Sequence, residues 1–158
     1  MRDKIKGLRE LTEIAQGLQA QGRVVVMANG CFDILHVGHI RYLTEAKALG
    51  DILVVGLNSD RSVRELKGPG RPVSGQDERA EILSALRVVD YVVIFDEPNV
   101  ENLIKALQPQ IHAKGTDYTE ESVPEAAVVR AYGGRVAITG DAKGHSCTQI
   151  ITHIRQTP

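Results

Sequence analysis

The chain has no tryptophan, two phenylalanines and two cysteines among its 158 residues, and each scarcity closes off a class of protein. Cys31 and Cys147 are too few for a disulfide framework and lack CxxC spacing, so both are read as reduced thiols. There is no basic excess: nineteen Lys and Arg face twenty Asp and Glu, a formal charge of −1. That excludes the broad positive field needed for non-specific nucleic-acid binding, so any anion site must be local. Apolar runs such as "ILVVG" and "YVVIF" are far too short to span a bilayer, and the basic start "MRDKIKGLRELTEIAQGL" has no signal-peptide core. A cytoplasmic chain with neither a membrane nor a nucleic-acid partner is expected. Also missing are GxxxxGK[ST] and GxGxxG, and with them the main support for P-loop and dinucleotide readings.

What is present is alternation. Apolar runs at 23–28, 51–57, 90–95, 110–113 and 135–139, bounded by Gly, Pro, Asn or Asp, are read as strands. Amphipathic segments near 37–49, 76–86, 99–107, 124–132 and 147–155 are read as helices between them. An opening helix over 2–20 places Ile5, Leu8, Leu11, Ile14 and Leu18 on one stripe. Ser74 with Asp77 resembles a capping box, and Pro124 suits a first helical turn. The composition, 42% hydrophobic and 25% charged, is that of an ordinary domain with one core. The expectation is α/β: a single domain with a Rossmann-like open parallel sheet of about five strands and helices on both faces. Residues 1–22 would form its N-terminal helix and 23–158 its core. Ligands of such sheets bind at the carboxyl ends of the strands, where the strand order reverses.

The stretch "NGCFDILHVGH", residues 29–39, is the first βα loop on that edge. His36 and His39, three residues apart at the mouth of a helix, lie on the same side of its first turn. The helix amino terminus offers unpaired N–H groups, and Gly38 carries no side chain to block a phosphate from reaching them. Three rival readings compete with a phosphate seat. Asp33, His36 and His39 as a zinc triad is disfavoured, because no further cysteine or histidine is evident nearby in the sequence, and no stoichiometric zinc is expected. One histidine acting as general acid or base is a second. Ordinary loop histidines beside turn-forming glycines are the third.

That last reading weakens because further anion-binding segments follow later strands. "NSDRSVRELKGPGRP" carries Lys67, Arg71, Gly68 and Gly70, read as a mobile loop able to wrap a charged substrate. "AKGTDY" carries Lys114, Gly115 and Asp117, and "GDAKGHSCTQII" brings Lys143, Gly144, Ser146 and Thr148 to another helix start, where Ser146 also suits an N-cap. Two helix amino termini with lysines around them suit the triphosphate of a nucleotide.

"GCFDILHVGH" together with "GHSCT" resembles the nucleotidyltransferase superfamily marked by HxGH and a terminal S-T-T-like segment, over nearly the whole chain from Val24. Within it, the run from "NGCFD" to "KGPGRP", with "KGTDY", is most similar to the D-glycero-β-D-manno-heptose 1-phosphate adenylyltransferases, which make ADP-heptose for lipopolysaccharide. Some relatives are fused to a sugar kinase, for which this chain has no room, so a stand-alone transferase is expected.

The resemblance implies attack by a sugar 1-phosphate oxygen on the α-phosphorus of ATP, with pyrophosphate leaving and no covalent enzyme intermediate. It assigns catalysis to His36, His39 and Lys67. It assigns nucleotide binding to Cys31 and Phe32 through their backbone, and to Gly38, Lys114, Gly144, His145, Ser146 and Thr148. Asp33, Arg71, Arg79 and Asp117 would bind substrate or act through a neighbour. Mg2+ would travel with ATP, held by phosphates and water rather than by a protein cage, and a homodimer is implied. Two positions depart from the pattern: Cys147 replaces the middle threonine of S-T-T, and Thr116 the second glycine of "KGGDY". The nearest rival is glycerol 3-phosphate cytidylyltransferase, whose "RTEGISTT" has an arginine absent from "DAKGHSCT" here. A catalytically silent nucleotide or sugar-phosphate sensor is the alternative of another class.

Overall fold

Strands β1 (Val25–Gly30), β2 (Ile52–Asn58), β3 (Tyr91–Phe95), β4 (Ile111–Lys114) and β5 (Arg135–Ile138) form one parallel sheet in the order β3-β2-β1-β4-β5. The computed structural model describes residues 2–158. Every residue of β2 is buried, as a central strand covered on both faces requires, and this is why it reads as a continuous apolar run. Alternate residues of β1 serve opposite layers. Val25 and Met27 pack with Leu11 and Ala15 of α1 (Leu8–Ala20), Leu103 and Ile104 of α5 (Glu101–Leu107) and Val129 of α6 (Ala126–Ala131). Val26 and Ala28 face Leu43 and Ala46 of α2 (Val37–Ala48) and Ala80 and Leu83 of α4 (Gln76–Ala85). Full burial of each such side chain contributes about 1.5–3 kcal/mol before the entropy of ordering is set against it. The remaining helices are α3 (Asp60–Lys67) and α7 (Cys147–Gln156), and the latter contributes no buried residue.

Four local expectations change. The opening helix starts at Leu8: Arg2–Lys4 is a 3-10 turn, and Ile5 leaves the stripe to bridge Val92 at the edge of β3. The segment carrying Lys67 is a helix rather than a loop, because Ser59 caps it by accepting the Ser62 N–H at 3.1 Å and Val63 is buried beneath it. The Ser74–Asp77 box does not form, since Gly75 is the N-cap and the Ser74 N–H is drawn to Asp33. Pro124 lies just before α6, whose N-cap is Glu125. Among the described residues, no helix is long and apolar enough to cross a membrane.

The strand order reverses between β1 and β4, and this sets the site. β1 pairs with β2 as far as Gly30↔Leu57, but with β4 at Val26↔Ile111 and Met27↔His112. Their carboxyl ends part beyond that point, and Tyr42 of α2 bridges the gap, its hydroxyl donating to the Ala113 carbonyl at 2.7 Å.

Candidate functional site

A cleft of about 600 Å³ opens above the parted strands. Among residues nominated from the sequence, Cys31, Phe32, Asp33, His36, Gly38, His39, Lys67, Arg71, Lys114, Asp117, Gly144, His145, Ser146 and Thr148 line it. Arg79 does not.

The β1–α2 loop turns sharply at Phe32, whose φ of 46° is left-handed, a conformation that costs a non-glycine residue about 1 kcal/mol or more. The turn folds the Phe32 ring back over Gly30, where a Cβ would stand 3.1 Å from it, and under His39, with ring centroids 5.0 Å apart. His36 and His39 stack above, centroids 3.7 Å apart and planes 22° from parallel. His39 Nδ1 accepts the His36 backbone N–H at a long 3.4 Å, which puts the proton of a neutral His39 ring on Nε2. Burial, and then the neighbouring His36, push His39 down to about 4; burial and His145 lower His36 as well. At neutral pH the pair is uncharged, able to donate hydrogen bonds without mutual repulsion.

Asp33 lies at the cleft wall with its carboxylate engaged by its own chain. Its buried carboxylate accepts from Arg71 Nε at 2.7 Å, the Val73 N–H at 2.7 Å and the Ser74 N–H at 3.3 Å, pinning the segment that carries Arg71. The weighed triad of Asp33, His36 and His39 therefore does not form. Arg79 is likewise internal: its guanidinium donates to the carbonyls of Cys31, Asn58 and Ser74 and to Asp60 Oδ1. It ties the histidine loop to α3 and α4.

The opposite wall comes from the strand ends β4 and β5. Lys114 is buried with Nζ 3.8 Å from Glu125 Oε2 and 4.9 Å from the Tyr118 ring. Burial lowers its pKa, and Glu125 partly restores it. Glu125 also lies 3.6 Å from Nε2 of the fully buried His112; burial alone would raise its carboxyl, but His112 and Lys114 outweigh it. Neither His112 nor Glu125 was nominated, since both sit inside what the sequence presents as plain strand and helix. At α7, Ser146 Oγ accepts the Gln149 N–H at 3.1 Å and keeps its own hydrogen to donate, while the Cys147 thiol contacts the Ile34 carbonyl at 3.2 Å. The Thr116 hydroxyl donates to the Asp141 carbonyl at 2.8 Å, so the threonine that departs from the pattern fastens one loop of the wall to the next.

Each carboxylate lining the cleft has a basic partner: Asp33 has Arg71, Asp117 has Lys143 at 3.0 Å, and Asp141 has Arg41. A hard cation thus meets no unpaired carboxylate in this cleft. Among the described residues, Lys67 at the end of α3 has no carboxylate partner and supplies open positive charge.

Comparison with known proteins agrees with this geometry. The family model described as cytidylyltransferase-like matches residues 27–152. The bifunctional protein HldE of Geobacter sulfurreducens is 52% identical over 151 residues, covering 96% of this chain and 31% of that protein. HldE of Geotalea uraniireducens is 54% identical over 152 residues, with the same coverage. The chain thus spans 31% of the length of these curated relatives. The crystal structure of the lipopolysaccharide core biosynthesis protein from Thermoplasma volcanium is 31% identical with a TM-score of 0.66, covering 77% of this chain and 100% of that one. Pantoate-beta-alanine ligase from Francisella tularensis shares the fold alone, at 15% identity and a TM-score of 0.64 over 97% of this chain and 79% of that one.

Proposed function

Because the chain belongs to the cytidylyltransferase-like family, we propose that it transfers AMP from ATP to heptose 1-phosphate, giving ADP-heptose and pyrophosphate for lipopolysaccharide core synthesis. The observation that carries this reading is the neutral His36–His39 stack at the start of α2, facing the start of α7 across one cleft. An oxygen of the sugar phosphate attacks the α-phosphorus, the bond to the β-phosphate oxygen breaks, and pyrophosphate leaves with the electron pair. Little proton transfer is needed, so positioning and charge stabilisation supply the rate. His36 and His39 donate to the oxygens on which charge grows. Gly38 lets the nucleotide lie against α2, while Cys31 and Phe32 meet it through their backbone. Gly144, His145, Ser146 and Thr148 hold the β- and γ-phosphates at the α7 amino terminus. Lys67 reaches the sugar phosphate or α-phosphate, and Lys114 adds charge from the opposite wall. Asp33 acts by aiming Arg71, Arg79 by holding the loops, and Asp117 by orienting Lys143. Mg2+ supplies charge neutralisation on the phosphates it arrives with.

The sugar is supported by the naming of the 31%-identical Thermoplasma volcanium protein for lipopolysaccharide core biosynthesis and by the HldE match over 96% of this chain. A cytoplasmic homodimer without nucleic-acid contacts belongs to the same reading. Pyrophosphate release from ATP or CTP, each crossed with heptose 1-phosphate, glycerol 3-phosphate and ethanolamine phosphate, tests it. Activity confined to ATP with heptose 1-phosphate is expected; turnover with CTP moves the chain to the cytidylyltransferases, and a blank matrix favours the sensor.

A further inference from the structure

We propose that His36, His39 and Cys147 form a site for a thiophilic divalent cation, Zn2+ above all, inside the cleft and in competition with the nucleotide. One ligating atom from each of the three lies within 4.8 Å of the other two. Two imidazoles and a thiolate are donors that zinc prefers and that magnesium, a hard oxygen-seeking ion, does not. The two metals are thereby separated by chemistry: one rides on phosphates, the other binds the protein.

Tetrahedral zinc, with bonds of roughly 2.0 Å to nitrogen and 2.3 Å to sulfur, sets its ligands roughly 3.5 Å apart, so these atoms must close by up to roughly 1.3 Å. The two rings must also turn out of their stack, because planes 22° from parallel cannot both aim an in-plane lone pair at one ion, and His39 must release either the His36 N–H on Nδ1 or its own proton on Nε2. On the α7 side the structure permits the movement. No residue of α7 is buried, so core packing does not fix its first turn. The Cys147 sulfur is held by one thiol contact to the Ile34 carbonyl, a weak interaction. On binding, the thiol gives its proton to solvent, a sulfur–zinc bond replaces that contact, and no oxidation state changes. Three protein ligands leave a fourth position open toward the cleft for water or a phosphate oxygen. The exchange of a threonine for Cys147, which costs the terminal segment a hydroxyl, is what furnishes the sulfur. Metal binding rests on this geometry alone; competition with nucleotide rests also on the proposed phosphate seat.

Co2+ titrated into the whole chain without nucleotide reads the site directly. A near-ultraviolet thiolate-to-cobalt charge-transfer band with tetrahedral visible bands is expected, retained in Cys31→Ser, lost in Cys147→Ser, and displaced by Zn2+. Thermal melting of Cys147→Ser verifies that the variant is folded. Visible bands without charge transfer, or a charge-transfer band that survives Cys147→Ser, overturn the site. Competition is read separately, as Zn2+ inhibition of pyrophosphate release at excess Mg2+, each protein normalised to its own rate. At least tenfold weaker inhibition in Cys147→Thr is expected, and equal inhibition overturns it. If no substrate pair turns over, the functional reading fails while the cobalt spectrum still decides the metal site.

Discussion

The rings of His36 and His39 lie face to face, 3.7 Å between centroids, an arrangement that disfavours charge on both rings at once. Burial and His36 hold His39 near 4, against 6.5 in an unfolded chain. Between those values the unfolded state binds a proton that the native state does not, so stability falls as pH is lowered from 6.5 toward 4 and levels off below. Urea midpoints measured across this window should drop more steeply for the wild type than for His39→Gln. Parallel slopes would show that His39 titrates normally.

Gly38→Ala separates site geometry from stability. A Cβ at Gly38 would stand 3.0 Å from the His36 ring, which must give by a few tenths of an ångström and so loses its registry with His39. The same change favours the helix by up to roughly 1 kcal/mol. Turnover should therefore fall while the denaturation midpoint stays level or rises; a midpoint that falls with turnover unchanged contradicts this.

Arg79→Lys should destabilise the fold by about 2 kcal/mol or more, measured by denaturant unfolding. A single ammonium cannot serve three carbonyls and a carboxylate arranged around a planar guanidinium, and buried acceptors are left unpaired. A loss within experimental error would mean that water replaces the guanidinium.

Asp33 and Arg71 should behave as a unit. Their side chains are 0% and 15% exposed, so Asp33→Asn leaves a nearly buried guanidinium without its counter-charge. A double-mutant cycle with Arg71→Met should return a coupling of about 1–3 kcal/mol, and additive effects would separate the two residues.

How much of this was legible beforehand differs by level. The sheet and the histidine loop at its edge were readable because β2 is apolar from Ile52 to Leu57 and because the HxGH histidines, three apart, share a helical turn whatever surrounds them. Helix α3 was not, since "DRSVRELK" offers Val63 and Leu66 as its only apolar residues, and only the former is buried. For Arg79 the choice between binding substrate and acting through a neighbour stayed open, because a sequence does not reveal that four acceptors converge on it. Cys147 beside the histidines was hidden for a topological reason: α2 and α7 follow different strands and meet only once the sheet has formed. The His112–Glu125 pair under Lys114 was hidden because a buried histidine in a strand has no periodic signature.

The most direct test follows the phosphorus. The chain, supplied with heptose 1-phosphate and ATP labelled at either the α or the γ position, should carry the α label into the sugar nucleotide and release the γ label as pyrophosphate. His39→Ala should slow both about a hundredfold or more while remaining folded. Transfer of the γ label to the sugar, or full activity in His39→Ala, would contradict an account in which the stacked histidines stabilise charge at the α-phosphate.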